Sequence, residues 1–345
     1  MRLEPVAQPT LARTIGLPAL ALAATVAIAS LLAMVAGAPP LSVLGLILKG
    51  AFGSKFALLE TLNRATPLIF TGLAVAVAFR ARLWNIGAEA QLYAGAVVTA
   101  TLGTGALAWP SGLLLPSIAL AAMLAGAFVL LVPTVLKTRF GVDEVVTTLL
   151  LNFVVLLWVS MLLEGPLKDP MGMGWPKSAR LIPEARLPRI VEGLRLHWGF
   201  GLALIAAAVK ARTTLGYEMR AVGLNRAAAK FAGIPVGPVL IKTALLSGGL
   251  AALAGFSEVA GLKGSLTLDI SPGFGYTGII VAMLALLNPF GVVVAALFVA
   301  GVFVGADSMS RAVGVPTYLA DIMLATALLL MVLALMLTRF RVRWE

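Results

Sequence analysis

The chain contains no cysteine and one histidine, His197. Disulfide bonds, thiolate metal ligands and cysteine nucleophiles are therefore excluded. We expect no zinc site, because a single histidine without cysteine does not supply its usual ligand set, and we name no metal-ligating residue. Charged residues make up only 12% of the chain. Acidic, basic and nucleophilic side chains are too sparse to form the convergent group that an active site needs. We therefore predict a protein that is not an enzyme and that carries no cofactor.

Apolar residues are what the sequence has in excess. They make up 60% of the chain, and the mean hydropathy is +1.02, well above the values of soluble globular domains. Many apolar runs reach the roughly 17 to 25 residues that a helix needs to cross a bilayer. Because backbone polar groups in lipid must be satisfied within their own segment, helices are the expected elements. The predicted fold class is an all-α polytopic membrane protein.

About ten transmembrane helices are predicted within a single transmembrane domain, 1–345. Their expected bounds are 16–37, 65–80, 85–106, 112–136, 145–163, 196–212, 237–258, 275–288, 291–307 and 319–338. Basic residues in the short loops and in the C-terminal RFRVRWE favour cytoplasmic N- and C-termini. The loop 213–236 would then be cytoplasmic and the loop 164–195 external. A cleaved signal peptide is the alternative for the first span, although its apolar run is long for one.

Two stretches resemble each other weakly. LIFTGLAVAVAF, from Leu68 to Phe79, and LLSGGLAALAGF, from Leu245 to Phe256, share five identities when aligned, Gly72 with Gly249 among them. The predicted topology gives these spans opposite directions, so the pattern predicts two inverted repeats, as in many transporters. Chance similarity between apolar helices is the alternative. If the repeat is real, a solute path should lie between the halves near the midplane.

A short basic segment, MRAVGLNRAAAKFAGIPVGP from Met219 to Pro238, stands apart from the apolar spans. Asn225 is a good N-cap, Gly233 suits the left-handed position after a helix, and Pro235 prevents continuation. The pattern predicts a helix of about two turns, which is marginal by itself in water and needs a docking surface. It is either a docking helix for a cytoplasmic partner or a loop helix whose cations meet anionic lipid.

Polar side chains inside predicted spans are costly and often functional. Glu89, Gln91, Asn152 and Thr277 are the candidate residues of a solute pathway. The alternative is that they form hydrogen bonds between helices. Asp143 and Glu144 favour an ordinary role at a helix start beside Lys137, and GVFVG, from Gly301 to Gly305, favours helix packing within the chain over a subunit interface.

Four separated motifs resemble those of ABC importer permeases of the ribose and branched-chain amino-acid type, in its nucleoside branch. They are FRARLWNIGAEAQLYAGA (79–96), FGVDEVVTTLLLNF (140–153), RAVGLNRAAAKFAGIPV (220–236) and GFGYTGIIVAMLALLNPFG (273–291). The match covers nearly the whole chain. Two positions depart from the family pattern: Ala90 replaces the usual glycine, and LALLNP lacks the glycine that commonly follows the paired leucines.

The resemblance implies the translocation subunit of an importer in the bacterial inner membrane. Its partners would be two separate ATPase subunits, a second and different permease subunit, and a periplasmic or lipid-anchored solute-binding protein. It implies that the loop 213–236 couples to the ATPase through Arg220, Gly223, Asn225, Ala228, Ala229 and Gly233. The sequence has no phosphate-binding loop of the G-x-x-x-x-G-K-[ST] type, so ATP would be bound by the partner.

The resemblance also implies a nucleoside-like solute, with a simple sugar or a branched-chain amino acid as the alternative. An ion-coupled secondary transporter would share the apolar composition and the repeat, but it would not need a capped docking helix. The loop 164–195 has five prolines and mixed charge, and it is either an ordered outer cap or a flexible loop. As an external loop it is a candidate contact for the binding protein.

Overall fold

The structure is a computed structural model that describes residues 2–5, 10–35, 39–105, 109–191, 193–210, 214–313 and 318–343. The predicted span residues 36–37, 106 and 211–212 and the loop residues 192 and 213 lie outside the described part. The helices are α1 (Leu11–Val35), α2 (Pro40–Phe52), α3 (Lys55–Arg80), α4 (Ala88–Gly103), α5 (Ser111–Phe140), α6 (Glu144–Glu164), α7 (Gly199–Lys210), α8 (Thr214–Leu224), α9 (Arg226–Phe231), α10 (Val236–Phe256), α11 (Phe274–Leu284), α12 (Pro289–Val313) and α13 (Tyr318–Arg339). A π-helical segment, Ser257–Lys263, continues α10, and Pro183–Ala185 forms one 3₁₀ turn.

The chain divides into two compact units. One comprises Met1–Thr61 with Phe298–Glu345, and the other comprises Leu62–Leu297. In the first unit α1 packs against α13, and β1 (Arg2–Pro5) pairs antiparallel with β2 (Phe340–Arg343). The second unit contains α4 to α11 and the loops between them.

Membrane-spanning character is visible in which residues are buried. Among the described residues five helices are long and apolar enough to cross a bilayer: α3, α5, α6, α12, and α10 with its π-helical extension. On α6 the buried face holds Glu144, Thr148 and Asn152, whereas Leu157 is 72% exposed. A helix on the surface of a soluble protein has the opposite arrangement, with apolar side chains buried and polar side chains exposed. The arrangement on α6 suits a helix that faces lipid or another subunit.

Glycines let α10 approach two neighbours closely. A Cβ added at Gly248 would meet the Gly126 carbonyl on α5, and one added at Gly255 would meet the Leu92 carbonyl on α4. Lipid tails are as apolar as the helix surfaces, so no hydrophobic effect drives helices together within the bilayer. Close backbone contact is therefore a main source of packing energy. Helix α10 is therefore the central helix of this unit.

Glycine also serves packing within the first unit. A Cβ at Gly305 of α12 would meet the Ile47 carbonyl, and one at Gly301 would meet the Phe52 ring, both on α2. The prediction that GVFVG packs within the chain is thus confirmed.

The connection from α11 to α12 is strained. Leu286 and Leu287 have φ of 50° and 61°, a left-handed conformation that costs a branched side chain roughly 1–2 kcal/mol. They lie in LALLNP, the stretch in which the chain departs from the family pattern. Helix α11 therefore ends at Leu284, after 11 residues and about 16 Å, and Asn288 begins the next helix by accepting the Phe290 N–H.

Candidate functional site

The N-termini of two short helices meet. A Cβ added at Gly275, in the first turn of α11, would meet the backbone of Ala88 and Glu89, in the first turn of α4. The buried Glu89 carboxylate accepts the Gly275 N–H at 2.6 Å. Each helix N-terminus exposes unpaired N–H groups and carries partial positive charge, so a carboxylate here stabilises both ends.

Asn152 of α6 joins the same two helix ends. Its Oδ1 accepts the Ala90 N–H at 2.9 Å, while its Nδ2 donates to the Ile86 carbonyl and to the Tyr276 hydroxyl, each at 3.0 Å. The side chain is fully buried and uses every polar atom. Tyr276 of α11, by contrast, remains 36% exposed. Asn152 thus fixes the start of α4 and holds a phenol whose ring is partly open.

Gln91 belongs to a different cluster. Its amide and that of Asn85 form a reciprocal pair, with hydrogen bonds of 2.8 and 2.9 Å. Asn85 Nδ2 also donates to Ser247 Oγ on α10, whose hydroxyl donates to the Ala74 carbonyl on α3. All these side chains are buried. The cluster ties three helices together and leaves Gln91 no free polar atom for a solute.

Thr277 lies two residues beyond Gly275 on α11 and is 7% exposed. Its hydroxyl donates to the Gly273 carbonyl at 2.9 Å, within its own helix. Of the four predicted pathway residues, the structure therefore brings Glu89, Asn152 and Thr277 to the junction of α4 and α11.

Sequence reasoning missed two polar residues on α3 because the predicted span began at 65, whereas the helix begins at Lys55. Arg64 places its guanidinium carbon 5.3 Å from the centroid of the Phe274 ring, a cation–π arrangement at the start of α11. Asn63 is 1% exposed, and neither of its amide atoms has a hydrogen-bond partner among the described residues. Pro67 lies four residues after Asn63. A proline inside a helix predicts a local irregularity, and this was the feature of the sequence that could have drawn attention to Asn63.

The predicted short helix exists as α9. Asn225 is its N-cap and accepts the N–H groups of Ala227 and Ala228 at 2.9 and 3.1 Å. Gly233 follows it with φ of 79°. Both local predictions are confirmed. Ala229 is buried, whereas Ala228 and Gly233 are exposed and Phe231 is 97% exposed.

The helix pair α8 and α9 is attached to the end of α3. A Cβ at Gly223 would meet the Arg80 carbonyl, and the Arg226 guanidinium lies 3.4 Å from the Arg82 carbonyl. Arg220 is exposed. The Arg80 side chain donates to the Leu287 carbonyl at 3.0 Å. This hydrogen bond links the end of α3 to the segment just before α12.

The short segment 80–86 thus contacts many elements. Besides α8 and α9, it contacts Lys137 at the end of α5, which donates to the Arg82 carbonyl and pairs with Glu144. Glu144 accepts the Trp84 N–H, and Asp143 caps α6 by accepting the Val145 N–H. The expected ordinary roles of both carboxylates are confirmed. Segment 80–86 therefore lies between the helix pair α8 and α9 and the start of α4 at Ala88.

The loop 164–195 forms an ordered cap in its described part. Ser178 and Leu266 exchange two hydrogen bonds, Leu187 donates to the Ala260 carbonyl, and Ile182 donates to the Gly103 carbonyl. The loop is thereby fixed to the π-helical region and to the end of α4. At its tip Met171, Met173 and Trp175 are 88%, 102% and 70% exposed.

Comparison with known proteins gives the family. The family described as branched-chain amino acid transport system / permease component matches residues 57–335. The chain is 36% identical, over 95% of its length, to the glucose ABC transporter permease protein TsgB13 of Haloferax volcanii, of which 89% is covered. It is 34% identical to the guanosine ABC transporter permease protein NupP of Bacillus subtilis, covering 90% of this chain and 91% of that one.

A further relative is the nucleoside ABC transporter permease protein NupB of Lactococcus lactis, 30% identical with coverage of 80% of this chain and 79% of that one. A solved metal-chelate type ABC transporter in an inward-facing conformation aligns with 77% of this chain and 80% of its own at 16% identity. Its TM-score of 0.41 is too low to bear on the fold. Because the family match spans most of the chain, the protein belongs to this permease family and is a multi-pass membrane subunit of an ABC transporter.

Proposed function

We propose that the permease carries a nucleoside across the bacterial inner membrane, inward. The observation that carries this assignment is the pair of relatives named for guanosine and nucleoside transport, each matched over about four fifths or more of its length. The junction of α4 and α11 suits such a solute. Neutral hydroxyls and base edges need hydrogen-bonding partners and an aromatic face. The Tyr276 hydroxyl, which accepts from Asn152, can still donate, the Thr277 hydroxyl, which donates to the Gly273 carbonyl, can still accept, and the half-open Tyr276 ring supplies a stacking surface.

A sugar is the second candidate, since TsgB13 is named for glucose. Sugar hydroxyls would use the same polar groups, and sugar rings also pack on aromatic faces. Uptake by vesicles that contain the permease, its ATPase and its binding protein separates the two. ATP-dependent uptake of labelled guanosine, with no competition from excess glucose, is expected. Uptake of glucose but not guanosine would overturn the nucleoside assignment.

We place the N- and C-termini and the loop 213–236 in the cytoplasm, with about ten spans. In this arrangement the exposed α9 docks on an ATPase subunit, and Gly223 and Asn225 position it. Two ATPase subunits, a second and different permease subunit and a solute-binding protein would complete the importer. The exposed tip at Trp175 of the external cap is the proposed contact for the binding protein.

We also propose that the second unit is organised around two inverted repeats. Residues 85, 87 and 89 correspond to 271, 273 and 275 with one offset of 186, and the Glu89–Gly275 hydrogen bond joins residues 186 apart. The stretches Leu68–Phe79 and Leu245–Phe256 align with an offset of 177, so the second repeat would carry nine additional residues between its two matching parts. Asn85 and Ser271 act alike, each accepting the N–H of the glycine two residues later. Contact between equivalent residues is what a two-fold axis produces. The solute path would follow this axis.

A further inference from the structure

Asn63 carries a side-chain amide without a hydrogen-bond partner in the described part of the chain. The side chain lies in the second unit, is 1% exposed, and has no hydrogen-bond partner at Nδ2 or Oδ1 among the described residues. Buried carboxamides are nearly always hydrogen-bonded, because desolvating one without compensation is costly. Within a membrane span the cost is not relieved by nearby water. An unpaired carboxamide at this position therefore needs an explanation.

The backbone carbonyl of Asn63 also lacks its usual helical hydrogen bond. Residue 67 would normally donate its N–H to the Asn63 carbonyl, but Pro67 lies within α3 and has no N–H to give. Asn63 thus offers one donor and two acceptors at the same point of the helix. Interrupted helices whose freed carbonyls face a cavity are a recurring way of building solute sites in transporters.

The position of Asn63 relates it to the junction of α4 and α11. The next residue, Arg64, lies over the Phe274 ring at the first position of α11. Farther along α3, Thr71 meets Gly278, one turn into α11. Asn63 and Thr71 are eight residues apart, about 80° around the helix axis, so both fall within the stripe that a helix presents to one side. Asn63 is therefore placed on α3 just beyond the N-terminus of α11, next to the proposed path.

We propose that Asn63 is a specificity-determining residue that binds the base edge of the transported nucleoside when the transporter opens the path beside α11. A carboxamide presents an adjacent donor and acceptor, which pair bidentately with a base edge of complementary pattern. In the guanine edge the ring N1–H donates to Oδ1, and O6 accepts from Nδ2. This inference rests on the proposed nucleoside function. It adds a group that recognises the base, whereas the ribose is common to all nucleosides.

Substitution separates recognition from a packing defect. In vesicles containing the complete transporter, Asn63→Leu should raise the KM for guanosine at least about tenfold, the value of one good bidentate pair. Its Tm should be unchanged or higher, since two unpaired polar atoms are removed. The matched control is Thr99→Val, which removes a buried hydroxyl already bonded to the Gly95 carbonyl. The control should lower Tm slightly and leave the KM unchanged.

Because the chain has no cysteine, Asn63→Cys provides a single reactive site, which also covers the case that Asn63→Leu does not fold. During ATP turnover a water-soluble methanethiosulfonate should modify residue 63, as read by mass spectrometry of this chain. Saturating guanosine should slow the reaction at least fivefold, and ribose should not. Thr99→Cys should stay unmodified throughout.

The two failures are distinguishable. If wild-type vesicles take up guanosine but Asn63→Leu keeps its KM within twofold, or if labelling at residue 63 is absent or unaffected by guanosine, this inference is overturned alone. If wild-type vesicles take up no guanosine, the nucleoside assignment is overturned and this inference with it. Equal protection by ribose and guanosine would place the sugar at Asn63 and contradict base recognition.

Discussion

The Glu89 carboxylate accepts the Gly275 N–H, 186 residues away, at the point where two buried helix N-termini meet. Both helix ends gain, because the carboxylate satisfies one unpaired N–H and offsets the partial positive charge of each end. Gly275 makes the contact possible, since any side chain there would displace the start of α4. The proposed solute path begins at this junction.

Replacing Gly275 with alanine should therefore separate the two helices. We expect a destabilisation of about 2 kcal/mol, typical of an overpacked contact with no flexible neighbour, and a loss of uptake. The control is Gly237→Ala, because a Cβ at Gly237 of α10 meets nothing within 4 Å and should add up to about 1 kcal/mol of helix stability. Thermal unfolding in detergent measures both. Equal Tm values for the two variants would contradict the close contact.

The strained leucine pair predicts a stabilising substitution. Leu286→Gly should gain about 1 kcal/mol, because Leu286 has φ of 50° and is 59% exposed, so little burial is lost. The same change at Leu284, the last residue of α11, should cost about 1 kcal/mol or more, because its φ is not positive and its partly buried side chain would be lost. Thermal unfolding should thus move in opposite directions. A lower Tm for Leu286→Gly would show that the conformation is not strained.

A substitution at Phe231 tests the proposed docking of α9 on the ATPase. The ring is 97% exposed, so Phe231→Ala should leave the Tm unchanged. If the ring enters a groove on the ATPase, its loss should lower ATP-coupled uptake by about fivefold or more, as for an interface anchor. The control is Phe128→Ala on α5. The Phe128 side chain is 66% exposed, and this variant should keep normal uptake. Full coupling in Phe231→Ala would remove this residue from the interface.

The cap formed by the loop 164–195, which we propose to be external, offers a parallel test. Trp175 is 70% exposed at the tip of an ordered loop, so Trp175→Ala should fold normally and weaken binding-protein-stimulated ATPase activity. We expect the binding-protein concentration for half-maximal stimulation to rise about fivefold. Trp158→Ala on α6, 44% exposed, should not change it. A normal response in Trp175→Ala would place the binding protein elsewhere.

What could be predicted from the sequence was mainly local. Asn225 caps the start of α9 and Gly233 follows its end, all within nine residues. Asp143 caps α6, which begins at the next residue. Such caps depend on side chains next to the helix end, so one sequence is enough to find them.

The site itself depends on distant pairs. Nothing near Glu89 indicates that its partner is Gly275, 186 residues away. Asn85 is only six residues from Gln91, but it lies outside α4, so helical spacing does not predict that the two amides pair. Asn63 was missed because hydropathy marks where apolar character begins, whereas α3 begins ten residues before the predicted span. Tertiary contacts therefore determine that the polar atoms of Gln91 and Asn152 are taken up by neighbouring groups.

The most direct test of the account is guanosine uptake by vesicles that contain the permease with its partner permease, ATPase and binding protein. We predict uptake that requires ATP and the ATPase, stops when ATP is replaced by a non-hydrolysable analogue, and is unaffected by collapsing ion gradients. Uptake by the permease alone on an ion gradient, with no ATPase present, would contradict the account.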